Sequence, residues 1–108
     1  MERIAKTPQP PYYAVIFTSQ RTNGDHGYPK MANEMIKLAS QQEGFLGIES
    51  ARDSEVGITV SYWDSLESIN KWKNHSAHKI AQERGKAEWY QSFSLRICKV
   101  ERDDLFEK

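Results

Sequence analysis

A tryptophan and two histidines at three-residue steps are the residues of this chain best suited to chemistry. They are Trp72, His75 and His78, near the end of the segment 61–78. An imidazole titrates near neutral pH, so either histidine can act as a general acid or base. A tryptophan beside it can form the wall of a cavity for an aromatic ligand. His75 and His78 are therefore the candidate catalytic residues, and Trp72 is a candidate substrate-binding residue.

The two histidines have a simpler interpretation as solvent-exposed residues. In an unbroken helix of about 3.6 residues per turn, His75 points away from the core and His78 lies on a flank. A break at 74–76, with Ser76 capping a new helix, would allow either histidine to face the sheet. A pocket role therefore requires that break. The His-x-x-His spacing alone is not a metal site, because no third ligand is visible nearby, and we predict no bound metal.

Three other aromatic residues are candidate substrate-binding residues. Trp63 ends one predicted strand, Tyr90 precedes another, and Tyr13 lies in the first. Tyr90 could donate a hydrogen bond to a ligand. The alternative is hydrophobic packing, with the Trp N–H and Tyr O–H groups facing polar partners. His26 is expected to be solvated, and Cys98 to be an inert thiol that is buried or faces a partner subunit.

The hydrophobic pattern predicts four strands and two helices in the order strand, helix, strand, strand, helix, strand. The strands are 12–19, 45–52, 56–63 and 92–100, and the helices are 28–42 and a second helix from about Ser65 to Gly85. Asp64 and Glu67 are expected to form a capping box at the start of the second helix. This order is typical of the ferredoxin-like α+β fold, an antiparallel four-stranded sheet with two helices on one face. Residues 12–101 would form the domain, between flexible tails at 1–11 and 102–108.

The first strand carries apolar residues on both faces, which predicts a homodimer formed through the sheets. Tyr13, Val15 and Phe17 alternate with Tyr12, Ala14 and Ile16. Phe93, Leu95 and Ile97 form a second apolar series in the last strand. An apolar sheet face of this size is not expected to stay in water.

The composition excludes several classes of partner. The 15 basic and 15 acidic residues cancel, which argues against nucleic acid or an anionic membrane as a partner. No apolar run approaches the roughly twenty residues of a membrane span. The single cysteine permits no internal disulfide, and the beginning of the chain has no signal-peptide pattern. We therefore expect a soluble, cytoplasmic protein.

Two segments resemble the antibiotic biosynthesis monooxygenase (ABM) family. The segment 44–50 (GFLGIES) is similar to the start of the family's second strand, with its glycine, aromatic, aliphatic, glycine order. The run 62–72 is similar to the family's strand-three tryptophan, capped helix and second tryptophan. The likeness covers 12–101 and implies a dimeric α+β barrel. It also implies a cofactor-independent monooxygenase for a small aromatic or quinone-like substrate, with Trp72 as cavity wall and His78 or His75 as acid or base.

Two alternatives to that activity stay open. One is a non-catalytic dimer that binds a small ligand or serves a stress response, in which the aromatic residues only pack. The other is a haem-binding or haem-degrading relative. The family's haem-degrading branch has a strand-one Asn and a His ten residues after the second Trp. Trp72 matches that Trp, but Gln82 stands at the His position and 12–19 contains no Asn. His75 or His78 would then have to ligate the iron instead.

Overall fold

The computed structural model describes residues 4–108. Four strands, three α-helices and one π-helical turn follow one another: β1 Tyr12–Arg21, α1 Tyr28–Ser40, β2 Phe45–Arg52, β3 Val56–Trp63, α2 Leu66–Lys73, α3 Ser76–Arg84, the π-helical turn Gly85–Trp89 and β4 Tyr90–Val100. All four predicted strands are present. Two of them are longer than predicted, since β1 continues to Arg21 and β4 begins at Tyr90.

The strands form one antiparallel sheet in the order β2-β3-β1-β4. Tyr13 of β1 lies between Trp63 of β3 and Lys99 of β4. Residues directly opposite one another in antiparallel strands share a face of the sheet. Trp63 packs against Ala39 of α1 and Ile69 of α2, so its face is the one that carries the helices. The ferredoxin-like α+β prediction is confirmed.

The prediction of a single second helix is wrong, because the chain breaks at Asn74 and His75. The N-cap of α3 is His75, whose Nδ1 accepts the Ala77 N–H at 3.2 Å, and not Ser76 as predicted. The break lies inside the predicted interval 74–76. Gly85 does not stop the helix, because the chain continues in helical backbone through the π-helical turn.

The capping box predicted at Asp64 and Glu67 is also wrong. Ser65 is the N-cap of α2, and its Oγ accepts the Ser68 N–H at 3.1 Å. Asp64 instead accepts a hydrogen bond from the Ser68 hydroxyl at 2.8 Å. The Glu67 side chain pairs with Lys71, one turn along the exposed side of the helix. The observed N-cap lies one residue later than predicted, because the adjacent residues Asp64 and Ser65 are both favourable N-cap residues.

Two aromatic clusters lie on the helix-bearing face. The first, here called the Trp63 cluster, consists of Tyr13, Val15, Ala39, Phe45, Trp63, Ile69 and Trp72. The second, here called the Tyr28 cluster, consists of Phe17, Tyr28, Trp89, Tyr90 and Phe93. Each contains one tryptophan that is 0 % exposed, Trp63 in the first and Trp89 in the second. These two indole rings are the anchors of the two halves of the core.

The apolar series of β4 lies on the helix-bearing face and not on the opposite one. Phe93, Leu95 and Ile97 are opposite Ser19, Phe17 and Val15 of β1. They are 41 %, 46 % and 49 % exposed, because the helices leave this edge of the sheet uncovered. This series therefore does not support a homodimer contact through the helix-free faces of the two sheets.

The segments that flank the domain contact each other and the sheet. The Ala5 N–H donates to Glu49 at 3.0 Å, and the Tyr12 hydroxyl donates to Asp103 at 2.5 Å. Lys6 and Glu107 form an ion pair at 3.3 Å. No helix within residues 4–108 combines the length and apolar character needed to cross a membrane.

Candidate functional site

Trp72 is held at the surface of the Trp63 cluster. It lies on the last turns of α2, and its ring stacks on that of Trp63 with centroids 6.4 Å apart and planes at 24°. The Trp63 indole N–H donates to Ser61 Oγ at 2.9 Å, which satisfies the polar atom of a fully buried ring. Trp72 is only partly buried. One part of the Trp72 ring therefore contacts the buried Trp63, and another part is accessible to solvent.

Both histidines contact the Trp72 ring. The His78 ring stacks on it with centroids 4.4 Å apart and planes at 10°, and the His75 ring lies at 5.4 Å and 41°. The break between α2 and α3 makes this possible, because it places His75 at a cap and starts a new helix that carries His78 back towards α2. The sequence-based condition for a pocket role, a break at 74–76, is thus met.

The hydrogen bond of His78 identifies the tautomer of its neutral ring. Nδ1 lies 3.1 Å from the Trp72 carbonyl oxygen. A carbonyl can only accept, so Nδ1 carries the proton and Nε2 carries the free lone pair. Nε2 forms no hydrogen bond with the described residues, and none of their buried side-chain N or O atoms is unpaired. Nε2 is therefore accessible to solvent and free to accept a proton.

His75 has the opposite tautomer when neutral. Its Nδ1 accepts the Ala77 N–H as the cap of α3, so the ring proton must lie on Nε2. His75 thus presents an N–H donor where His78 presents a lone pair, and both rings contact the same indole. A neutral imidazole base and a neutral imidazole donor side by side can accept a proton from a hydroxyl and stabilise the oxyanion that results.

The environment of His78 favours its neutral form. Burial lowers the pKa of His78 from its ordinary value of 6.5, and the positive charge of His75 would lower it further, while the hydrogen bond to the Trp72 carbonyl acts in the opposite direction. Desolvation disfavours the charged imidazolium. His78 is therefore an unprotonated base at neutral pH.

Two surface clefts lie away from these histidines. One, of about 320 Å³, is formed between residues 5–9 and 103–105. The other, of about 610 Å³, lies between α1, β2 and residues 5–6. Within residues 4–108, no group of three His, Cys, Asp or Glu side chains is arranged to hold a metal ion. Neither cleft is lined by Trp72, His75 or His78.

The sequence model of the antibiotic biosynthesis monooxygenase family matches residues 12–84, from the first residue of β1 to the last of α3. The chain belongs to this family. A relative of similar length is the uncharacterized protein YqjZ of Bacillus subtilis. It is 50 % identical over 109 residues, which span 100 % of this chain and 96 % of YqjZ. The likeness therefore extends beyond the matched segment to β4 and both flanking segments.

Solved structures with very different sequences share the fold of this ABM-family chain. SnoaB from Streptomyces nogalater, a cofactor-independent oxygenase, superposes with a TM-score of 0.75 at 9 % identity, over 91 % of this chain and 100 % of SnoaB. PA3566 from Pseudomonas aeruginosa gives a TM-score of 0.70 at 13 % identity, over 90 % and 99 % of the two chains. At such identities the likeness establishes the fold alone.

The structure brings five of the six predicted site residues of this ABM domain together. His75, His78 and Trp72 form one contact group, and Trp63 and Tyr13 lie behind it in the Trp63 cluster. Tyr90 belongs instead to the Tyr28 cluster. It pairs with Arg21, eight residues beyond Tyr13 along β1, a strand distance of about 26 Å. Burial and the Tyr28 hydroxyl raise the pKa of Tyr90, so its phenol stays protonated.

Sequence reasoning missed the cap of α3 as a functional feature. It assigned the cap to Ser76, and so it could not assign a tautomer to His75. The signal was present, because His75 follows Asn74 at the predicted break and its ring nitrogen can accept from a backbone N–H two residues on. The His78 bond to the Trp72 carbonyl had no signal in the sequence, since it depends on the angle between α2 and α3.

Proposed function

We propose that this ABM-family protein is a cofactor-independent monooxygenase that converts a small phenol to a quinone with dioxygen. The observation that carries the proposal is the pair of imidazoles with opposite tautomers on Trp72. His78 Nε2 is the base, the His75 Nε2–H is the donor to the phenolate oxygen, and Trp72 is the wall against which the ring of the substrate lies. The name of SnoaB as a cofactor-independent oxygenase agrees with this chemistry.

The reaction balances with dioxygen as the only co-reactant. His78 Nε2 takes the phenol proton, and a ring carbon of the phenolate forms a bond to dioxygen. Loss of the hydrogen on that carbon and cleavage of the O–O bond give the quinone carbonyl. The second oxygen atom leaves as water, with the proton returned by His78. The substrate is the reductant, so one phenol and one dioxygen yield one quinone and one water.

Oxygen consumption with 1-naphthol tests the proposal. We expect one dioxygen consumed per 1,4-naphthoquinone formed, with one ¹⁸O atom from ¹⁸O₂ in the product. His78→Gln should lower kcat by about 10²- to 10⁴-fold, the range for loss of a general base. His26→Gln is the matched control, because the His26 side chain is exposed and its ring nitrogen contacts only the Asn23 carbonyl oxygen. Full activity of His78→Gln would contradict the assignment of the base.

A second candidate function is favoured by the packing of Trp72. Its ring already contacts Trp63 and both histidines, and the two described clefts do not include it. In that case the protein is a non-catalytic dimer that binds a small aromatic ligand at the surface of these rings. Binding of 1-naphthol that perturbs the His78 NMR signals, without enzyme-dependent consumption of oxygen, would establish this second function in place of the first.

The residues present do not fit the haem site of the haem-degrading branch. Residues 12–19 contain no Asn, Gln82 stands at the position of the histidine, and the His78 ring covers one face of the Trp72 ring at 4.4 Å. The proposed reaction uses no haem and no other cofactor.

We also propose that the protein is a homodimer formed through the helix-free faces of the sheets. Val56 and Ile58 on that face are 43 % and 46 % exposed, and Ile16 and Val60 beside them are partly exposed. The contact should bury more than about 1,000 Å². Light scattering should give about twice the 12.5 kDa chain mass, and a monomer at all concentrations would contradict it. A cytoplasmic location is proposed from the lone thiol, Cys98.

A further inference from the structure

Arg52 reaches across the sheet to a residue two strands away. The register places Arg52 of β2 opposite Gly57 of β3, and Gly57 opposite Ser19 of β1. The Arg52 Nη2–H group donates to Ser19 Oγ at 2.5 Å, over the glycine between them. Holding an exposed arginine side chain in one such conformation costs conformational entropy. A specific feature of the sheet must therefore favour this conformation.

Gly57 is that feature, because it leaves the space that the guanidinium occupies. A Cβ atom at position 57 would lie 2.4 Å from Cζ and from Nη2 of Arg52. Any side chain there would displace the tip of Arg52. Gly57 is buried beneath that tip, and Ser19 is 2 % exposed. Gly57 and Ser19, on two neighbouring strands, thus hold the guanidinium of Arg52 in one position.

A second guanidinium approaches the same aromatic ring. Cζ of Arg21 lies 3.7 Å from the centroid of the Tyr28 ring, and Cζ of Arg52 lies 5.4 Å from it. Arg21 is anchored by hydrogen bonds from Nε to the Trp89 carbonyl at 3.1 Å and from Nη2 to the Gly24 carbonyl at 3.0 Å. The two arginine contacts with the Tyr28 ring are cation–π interactions, which are favourable. They also bring two like charges together.

The two positive charges have no close carboxylate in the described part of the chain. No acidic oxygen of residues 4–108 lies within 4.0 Å of either guanidinium. Asp53 accepts the Glu55 and Val56 backbone N–H groups instead, and these bonds, more than the Arg52 charge, lower the pKa of Asp53. Asp25 accepts the Gly27 N–H. Arg52 keeps four of its five N–H donors for another partner.

Apolar aromatic surface borders this pair of cations. Phe93 lies opposite Ser19 on the same face and is 41 % exposed, and its ring packs on Phe17 and Tyr90. A guanidinium binds carboxylate oxygens through paired N–H donors, and an exposed aromatic face binds a flat ring. The same surface can thus bind both parts of an aromatic carboxylate, the carboxylate group at the guanidinium and the ring at Phe93.

We propose that Arg52, seated over Gly57 and Ser19, is the anion-binding residue of a site for an aromatic carboxylate on the Tyr28 cluster. Arg21 adds positive charge and positions Tyr28. Phe93 contacts the ring of the ligand. The site is independent of the oxygenation proposed above, since it lies at the other end of β1 from His78.

Titration calorimetry with 2-naphthoate tests the site. We expect Arg52→Gln to weaken binding about tenfold or more, the effect of losing a hydrogen-bonded charge. Gly57→Ala keeps every charge but displaces the Arg52 tip, and it should weaken binding to a similar extent. Arg96→Gln is the matched control, because Arg96 lies on the helix-free face and donates to Ser94 Oγ. His78→Gln should leave the affinity unchanged, which separates this site from the oxygenase proposal.

Two further ligands define the chemistry. The neutral isostere 2-naphthamide should bind at least tenfold more weakly, because it lacks the charge. Inorganic phosphate should also bind more weakly than 2-naphthoate, because it lacks the ring. Equal binding by Arg52→Gln and Arg96→Gln, equal binding of the amide, equal binding of phosphate, or no binding of 2-naphthoate at millimolar concentration would each overturn the proposal.

Discussion

The two ends of the helix-bearing face are built alike but carry different kinds of charge. Each is an aromatic cluster anchored by a fully buried tryptophan, Trp63 at one end and Trp89 at the other. The first carries two imidazoles whose neutral forms have opposite tautomers, and the second carries two guanidiniums that are always charged. One end is suited to moving a proton and the other to holding an anion.

The difference between the ends follows from the local backbone. At the Trp63 end, a helix break places ring nitrogens against backbone groups, which sets their tautomers. At the Tyr28 end, a strand glycine makes room for a long side chain, which sets its direction. In both cases a local feature of the backbone directs a functional group. Substitutions at these positions can therefore separate stability from function.

The largest expected effect is the loss of either anchor. Trp63→Ala and Trp89→Ala should each lower the free energy of unfolding by about 3–5 kcal/mol, the cost of emptying a buried tryptophan site. Trp72→Ala should cost clearly less, because its ring is only partly buried. Urea denaturation of the three variants provides the comparison. A loss at Trp72 equal to that at Trp63 would make Trp72 a core residue and not a cavity wall.

Two glycine substitutions should differ in stability. Gly44 has φ +87°, and a Cβ there would lie 2.1 Å from Ser68 Oγ and 2.4 Å from Asp64 Oδ1, at the start of α2. Gly44→Ala should therefore cost about 1–3 kcal/mol from backbone strain alone. Gly57→Ala meets only the movable tip of Arg52, and its cost should stay within about 1 kcal/mol. Thermal unfolding measures both. A larger loss at Gly57 would show that its neighbours cannot give way.

The cap of α3 should have a smaller effect. His75→Ala removes the acceptor of the Ala77 N–H and should cost about 1 kcal/mol, whereas His75→Asn keeps an oxygen acceptor and should cost less. Urea denaturation distinguishes the variants. If both variants were as stable as the parent, the capping bond would not fix His75, and its tautomer would be unassigned.

The sequence predicted the sheet well because strand periodicity is strong in this chain. The hairpin between β2 and β3 has its predicted bounds, since Asp53 makes a compact turn by accepting two backbone N–H groups. The helix break was predicted only as a condition. Both possible backbones satisfy the same apolar spacing at Leu66 and Ile69, and Leu66 is exposed in the structure.

The candidate site was predicted in part, and the reason is distance along the chain. Trp72, His75 and His78 are close in sequence, so one helical segment brings them together. The position of the Arg52 side chain depends on the register of three strands, because Ser19 lies on β1, Gly57 on β3 and Arg52 on β2. That register follows from the β2–β3 turn and the β1–β3 pairing, and the second of these is a long-range contact that periodicity does not specify.

The pH dependence of stability should come from the imidazole end and not from the guanidinium end. Burial places the folded pKa of His78 below its ordinary value of 6.5. Between the two pKa values the unfolded chain binds more protons than the folded chain, so the contribution is complete above about pH 6.5 and is lost as the pH falls towards the folded pKa. His78→Gln should reduce the loss of stability between pH 7.5 and 5.5, while Arg52→Gln, which removes a group that stays charged over this range, should not. An unchanged slope in His78→Gln would contradict the shift.

The most direct test of the central claim is the tautomer of each histidine, measured by long-range ¹H–¹⁵N NMR at pH 7.5. The structure predicts opposite tautomers, with the proton of His78 on Nδ1 and that of His75 on Nε2. On titration to lower pH, His78 should gain its second proton below pH 6.5, its ordinary pKa. The same tautomer at both residues, or a His78 that titrates at or above that value, would contradict the account of a neutral base beside a neutral donor.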